Sequence, residues 1–165
     1  MAEKPSPEAL QTEAQAFRAG FKTVLLATSG PDGAPEASYS PFVLDDAEDI
    51  LLFVSDLAQH TRNLRANPRA SLMFIANESD TTNLFARQRL ILACSAEFIP
   101  RDPADWPVRL ALFEQKFGKM MGLLKSLPDF HLVRLRVDYG NYVRGFAQAY
   151  ALAGKALEVQ HLRRG

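Results

Sequence analysis

The 165-residue chain has one cysteine, Cys94, and three histidines, His60, His131 and His161. A single thiol excludes an internal disulfide framework and a four-cysteine zinc site, and it fits a reducing compartment. The histidines lie far apart in sequence, with no H-x-x-x-H or C-x-x-C spacing, so no dedicated metal site is expected. Long apolar runs are also missing: stretches such as Val24–Ala27 are too short to span a bilayer. The N-terminal MAEKPSPEALQTEAQ has no continuous apolar core of the signal-peptide kind. Charge of neither sign is in excess, since 19 basic residues balance 19 acidic ones. No global field therefore draws the chain to nucleic acid or anionic lipid. G-x-G-x-x-G, Walker-type and G-x-S-x-G loops are all absent, which removes the common nucleotide cradles and the serine-nucleophile elbow. These absences describe a cytoplasmic protein with neither a nucleic-acid nor a membrane partner.

Hydrophobic residues make up 47% of the chain and charged residues 23%, the balance of a globular protein. The length suits a single domain over 1–165. Ser6-Pro7-Glu8 opens a helix over 6–19: Ser6 caps it, Pro7 takes the first turn, and Gly20 ends it. Short apolar and β-branched runs then predict strands at 22–28, 34–44, 50–54, 69–76, 89–98, 131–137 and 142–152. Turn-rich segments such as Ser29–Gly33 and Asp45–Asp49 separate the first of them. Helices are expected at 57–67 and 103–118, the second capped by Asp102, with Trp106, Leu110, Phe113 and Phe117 on one stripe. Residues 155–165 form a basic tail. The fold class is mainly β (α+β): six or seven antiparallel strands in a barrel-like domain with two or three short helices.

Chemistry concentrates in Ser55–Asn63, SDLAQHTRN, which leaves a strand and enters a short helix. A helix N-terminus offers backbone N–H groups, and His60, Thr61 and Arg62 add donors suited to a phosphate. The same residues also fit a solvated, capped amphipathic helix. Arg87 and Arg89 open the long strand as further anion donors, or as charges that protect a strand edge. Ser38-Tyr39-Ser40-Pro41 ends in a residue that cannot donate to a sheet ladder, which marks an edge or bulge where a planar ring finds free backbone groups. Cys94, in LILACSAE, reads as a buried apolar thiol.

ASYSPFVL (37–44), LLFVSDLAQHTRNLRANPRASLMF (51–74) and ARQRLILACSAEF (86–98) together resemble the pyridoxamine 5′-phosphate oxidase-like superfamily. The likeness spans Gly20 to Leu152. It implies a six-stranded Greek-key split barrel that forms a homodimer and binds FMN at the subunit interface. By that resemblance Ser38, Tyr39, Ser40 and Ser55 line the flavin, His60, Thr61 and Arg62 meet its phosphate, and Arg89 assists. Members of the family often carry Lys or Arg where His60 falls. The expected function is an FMN-binding oxidoreductase with no catalytic side chain assigned.

DYGNYVRGFAQAY (138–150), together with SDLAQHTRNL, is similar to the haem-utilisation branch of the superfamily, the HugZ/HutZ type. That likeness implies the alternative of a haem-degrading oxygenase, or a haem or flavin carrier without turnover. His161 would then be the iron ligand, and Arg163 and Arg164 would pair with the haem propionates. Tyr142 and Phe146 are candidates for the second wall of the site, and strand alternation equally allows them in the core.

Overall fold

The computed structural model describes residues 4–163, with side chains through Gln160. Helix α1 runs over Pro7–Ala19, and Ser6 caps it by accepting the Ala9 N–H at 3.1 Å. Its apolar positions Leu10 and Ala14 are buried in the main core. Arg18 is buried beside them, with a guanidinium nitrogen donating to Lys155 O at 3.0 Å and another 3.8 Å from Glu48. One and two turns earlier, Gln15 and Gln11 both donate to Ala156 O, at 2.7 and 2.8 Å. The first helix thus grips the last turn of the chain.

Eight strands form one antiparallel sheet: β1 (Thr23–Ser29), β2 (Pro35–Leu44), β3 (Ile50–Ser55), β4 (Arg69–Ile75), β5 (Arg89–Phe98), β6 (Phe130–Gly145), β7 (Gln148–Ala153) and β8 (Glu158–Arg163). Their order is β3-β2-β1-β4-β5-β6-β7-β8, and a further β3–β6 pairing closes the first six into a barrel. Within it β4-β1-β2-β3 is a Greek key, because β4 returns beside β1 rather than β3. The crossing is made by α2 (Gln59–Ala66). Inward positions such as Leu26, Leu52, Leu72, Leu90, Leu92 and Leu135 are fully buried and fill the barrel. Helices α3 (Trp106–Phe117) and α4 (Met120–Leu124) cover the outside of β2, β3 and β6, packing Trp106, Leu110 and Phe113 on Val43, Leu51, Phe53 and Leu132.

Several elements differ from the sequence reading. Two expected strands, 131–137 and 142–152, meet differently: β6 runs unbroken through Asp138–Asn141, and the chain reverses later, at Gly145–Gln148, where Ala147 takes a φ of 57°. Asp-Tyr-Gly-Asn has turn composition, but Asp138 is taken up as a bulge against β5 and pairing of Tyr139–Asn141 with both β5 and β7 holds the segment extended. The tail is not a tail over its described part. Gly154 and Leu157, at φ 67° and 58°, reverse the chain into β8. Helix α3 begins at Trp106, three residues after Pro103, because Asp102 holds the preceding residues in a turn through Ala104 N–H (2.7 Å) and Trp106 N–H (2.9 Å).

Candidate functional site

Strand β3 delivers Ser55 to the barrel end, where α2 plugs the opening with buried Thr61, Asn63 and Leu64. Ser55 Oγ donates to Asp129 Oδ2 at 2.9 Å and accepts the Leu57 N–H at 3.1 Å. Next to it, His131 Nε2 lies 2.9 Å from Asp56 Oδ2. His131, with Arg65 at 3.5 Å, holds the exposed Asp56 carboxyl below the usual carboxylate range.

The phosphate set predicted on α2 is not gathered on one point: His60, Thr61 and Arg62 each face different surroundings. His60 Nδ1 is 3.0 Å from Ser38 Oγ. Burial pushes the His60 pKa down, with Glu36 opposing, so the ring is neutral near pH 7. Arg62 folds back over the turn before its own helix, donating to Asp56 O (3.1 Å), Leu57 O (3.0 Å) and Gln59 Oε1 (2.6 Å). Thr61 is completely buried, and its Oγ1 has no partner. Asn63, which the sequence reading passed over, is the hub: it accepts from Gln59 Nε2 at 3.0 Å and donates to Thr28 Oγ1 (3.0 Å) and Glu36 Oε2 (3.1 Å). Glu36 was missed as well, since a lone acid at a strand start carries no motif.

The other expected flavin residues lie elsewhere. Ser40 is buried and donates to Pro41 O at 2.9 Å, while Tyr39 points outward, 64% exposed. Arg89 pairs with Ile75, at the opposite end of β4 from Arg69, and donates to Arg87 O at 2.9 Å. No hydrogen bond or ion pair among the described residues joins it to the α2 set. Tyr142 is fully buried in the barrel rather than forming a wall, because alternation along β6 turns it inward; its hydroxyl donates to Glu13 at 2.7 Å and accepts from Gln88 at 2.7 Å. Phe146 is exposed on the β6–β7 turn.

A second feature escaped the sequence reading. The outer face of β1, β2, β4, β5 and β6 is uncovered and carries apolar or small residues, among them Leu25, Tyr39, Ile91, Ala93 and Tyr139. A groove of about 510 Å³ runs across it, with Ala27, Ile91 and Ala93 in its floor and Arg69, Asp138 and Tyr139 around it. Asn141 Oδ1, also in this groove, has no partner among the described residues. Gly140 permits the close approach of β6 to β5, since a Cβ there would sit 2.6 Å from Leu92 Cδ2 and 2.8 Å from Ile91 O. The signal was available, as β1 and β5 are apolar at both alternating sets of positions, the mark of a strand buried on two faces.

His161 falls on β8, where its backbone pairs with Ala151, which in turn pairs with Asn141. Its side chain, that of Arg163 and the whole of Arg164 lie outside the described part of the molecule. Among the described residues, no group of three or more His, Cys, Asp or Glu is placed to hold a metal, and no helix is long and apolar enough to cross a membrane.

Comparison with known proteins fits this architecture. The family model described as pyridoxamine 5′-phosphate oxidase matches residues 10–144. The heme oxygenase HutZ of Vibrio cholerae is 39% identical over 157 residues, covering 94% of this chain and 89% of that one. The crystal structure of HutZ, described there as a heme storage protein, superposes with a TM-score of 0.72 over 78% of this chain and 90% of the other, at 38% identity. The chloroplastic non-canonical heme oxygenase HOZ of Arabidopsis thaliana is 30% identical over 75% of this chain, which spans 36% of that protein. A heme binding protein from Mycobacterium smegmatis gives a TM-score of 0.77 at 28% identity, over 95% of this chain and 62% of that one. With its closed six-stranded barrel and a family match over most of its length, the chain belongs to the pyridoxamine 5′-phosphate oxidase family.

Proposed function

We propose that the protein binds haem and opens the haem ring oxidatively. The observation that carries this reading is the 39% identity to a heme oxygenase over 94% of the chain. Haem, when bound, supplies the redox-active iron for the oxygen chemistry. His161 is the proposed axial ligand, carried by a strand that extends from the barrel rather than by a loose terminus. Arg163 on the same strand, and Arg164, are proposed partners for the propionates. The apolar outer face, with Leu25, Tyr39 and Tyr139 presented to solvent, supports a homodimer in which a second copy covers that face and excludes water from the ligand.

The FMN reading rests on the family match. Of the phosphate donors it needs, His60 is bonded to Ser38 and Arg62 to Gln59 and two backbone carbonyls, and the imidazole is neutral. A haem store without turnover is the second reading, favoured by the description of the HutZ crystal structure.

Titration of the purified protein with hemin, followed in the Soret region, tests the proposal. Wild type should saturate, and His161→Ala should bind more weakly with a shifted band. Adding ascorbate in air should then bleach the wild-type Soret band and release iron to ferrozine. A stable band under these conditions would select storage. Failure of wild type to saturate with hemin would overturn the haem reading.

A further inference from the structure

The polar plug at the barrel end explains more than the weak fit to a phosphate, because one of its members is an acid. Glu36 stands on β2, two residues before Ser38, and its Oε2 accepts from Asn63 Nδ2 at 3.1 Å. Asn63 lies on α2 one turn after Gln59 and His60, so the carboxylate faces the helix from which the phosphate donors project. Asp32 joins Glu36, Gln59 and Asn63 around a shallow hollow on this side of α2, which carries two acids and no basic side chain. Helix α2 itself has no acid in its first turn and no side-chain cap.

We propose that Glu36 is the residue that excludes a phosphate-bearing cofactor such as FMN from this barrel. A phosphomonoester reaching His60 beside Ser38 would meet the Glu36 carboxylate, which stands two residues from Ser38 on the same face of β2 and accepts from Asn63 of the same helix. It would also have to separate His60 from Ser38 and Arg62 from Gln59. Two like charges brought within several ångströms at a partly buried site repel by enough to cost about tenfold or more in affinity. Glu36 is a selectivity residue, and it touches no reacting atom. The inference concerns what the barrel refuses, so it stands whether or not haem is what the protein accepts.

The test compares FMN with riboflavin, which differ only in the phosphate, by quenching of flavin fluorescence. Wild type, Glu36→Gln and Glu36→Asp are measured side by side. Wild type and Glu36→Asp should show no preference for FMN. Glu36→Gln keeps an oxygen that accepts from Asn63, so it should fold as wild type does and bind FMN about tenfold or more tighter than riboflavin. A wild type that already prefers FMN would overturn the proposal, as would a Glu36→Gln variant with wild-type thermal melting and no FMN preference. Hemin titrations of the same three samples separate this outcome from the haem reading: a normal Soret band with a failed flavin result sinks only the role of Glu36.

Discussion

Ser38 Oγ and His60 Nδ1 stand 3.0 Å apart, and this bond ties β2 to the first turn of α2.

That arrangement makes stability depend on pH. Burial lowers the folded-state pKa of His60 below its ordinary value of about 6.5. Below that value the unfolded chain binds a proton that the folded chain resists, so stability is full above about pH 6.5 and falls as pH drops through it. Urea unfolding at about pH 7.5 and about pH 5.5 should show a lower midpoint in acid. His60→Gln should narrow the difference between the two.

Removing the Tyr142 hydroxyl should destabilise the barrel. It donates to Glu13 and accepts from Gln88, both at 2.7 Å, and the ring is fully buried. Tyr142→Phe leaves Gln88 without that acceptor, while Glu13 keeps Arg144. The expected loss is about 1–2 kcal/mol by denaturant titration.

Gly140→Ala should be costly and Gly122→Ala harmless. A methyl at 140 meets Leu92 Cδ2 at 2.6 Å and the Ile91 carbonyl at 2.8 Å, and backbone cannot move aside cheaply. About 1–3 kcal/mol of stability should be lost. At Gly122, on α4, nothing lies within 4 Å, so alanine should be neutral or add up to about 1 kcal/mol. Equal effects at the two sites would contradict the packing of β5 against β6.

Cys94 should be inert in the folded protein. It is buried, and burial pushes its pKa up to about 12, so almost no thiolate exists at neutral pH. Ellman's reagent should label it only after denaturation. Rapid labelling of the native protein would mean that the strand carrying it opens readily.

The local grammar of the fold was legible in the sequence. Ser6 and Pro7 set the start of α1 where the capping rule puts it, and the hairpins from β1 to β3 follow the turn residues between them. Tertiary pairing overrode local signals elsewhere, as in Asp138–Asn141, where turn-forming residues are extended between two neighbouring strands. The cluster at α2 was readable as a set of donors. Its bonding was not, because Glu36 and Asn63 meet only after the Greek-key crossing brings β2 and α2 together. Periodicity likewise placed Tyr142 on a strand, while its inward orientation followed from the register of β6.

The grip of α1 on the turn at Lys155 and Ala156 has a consequence for how the molecule comes together. The bonds from Gln11, Gln15 and Arg18 close sequence separations of 145, 141 and 137 residues. The helix leaves the ribosome at least 137 residues before its partner, so α1 can form early but cannot dock until that turn has emerged. Contacts this distant in sequence slow folding, because the entropy of loop closure is lost before the contact rewards it. Seating of the helix should accordingly be a late event, with α1 and the β7–β8 hairpin acquiring hydrogen-exchange protection together, after the strands of the barrel.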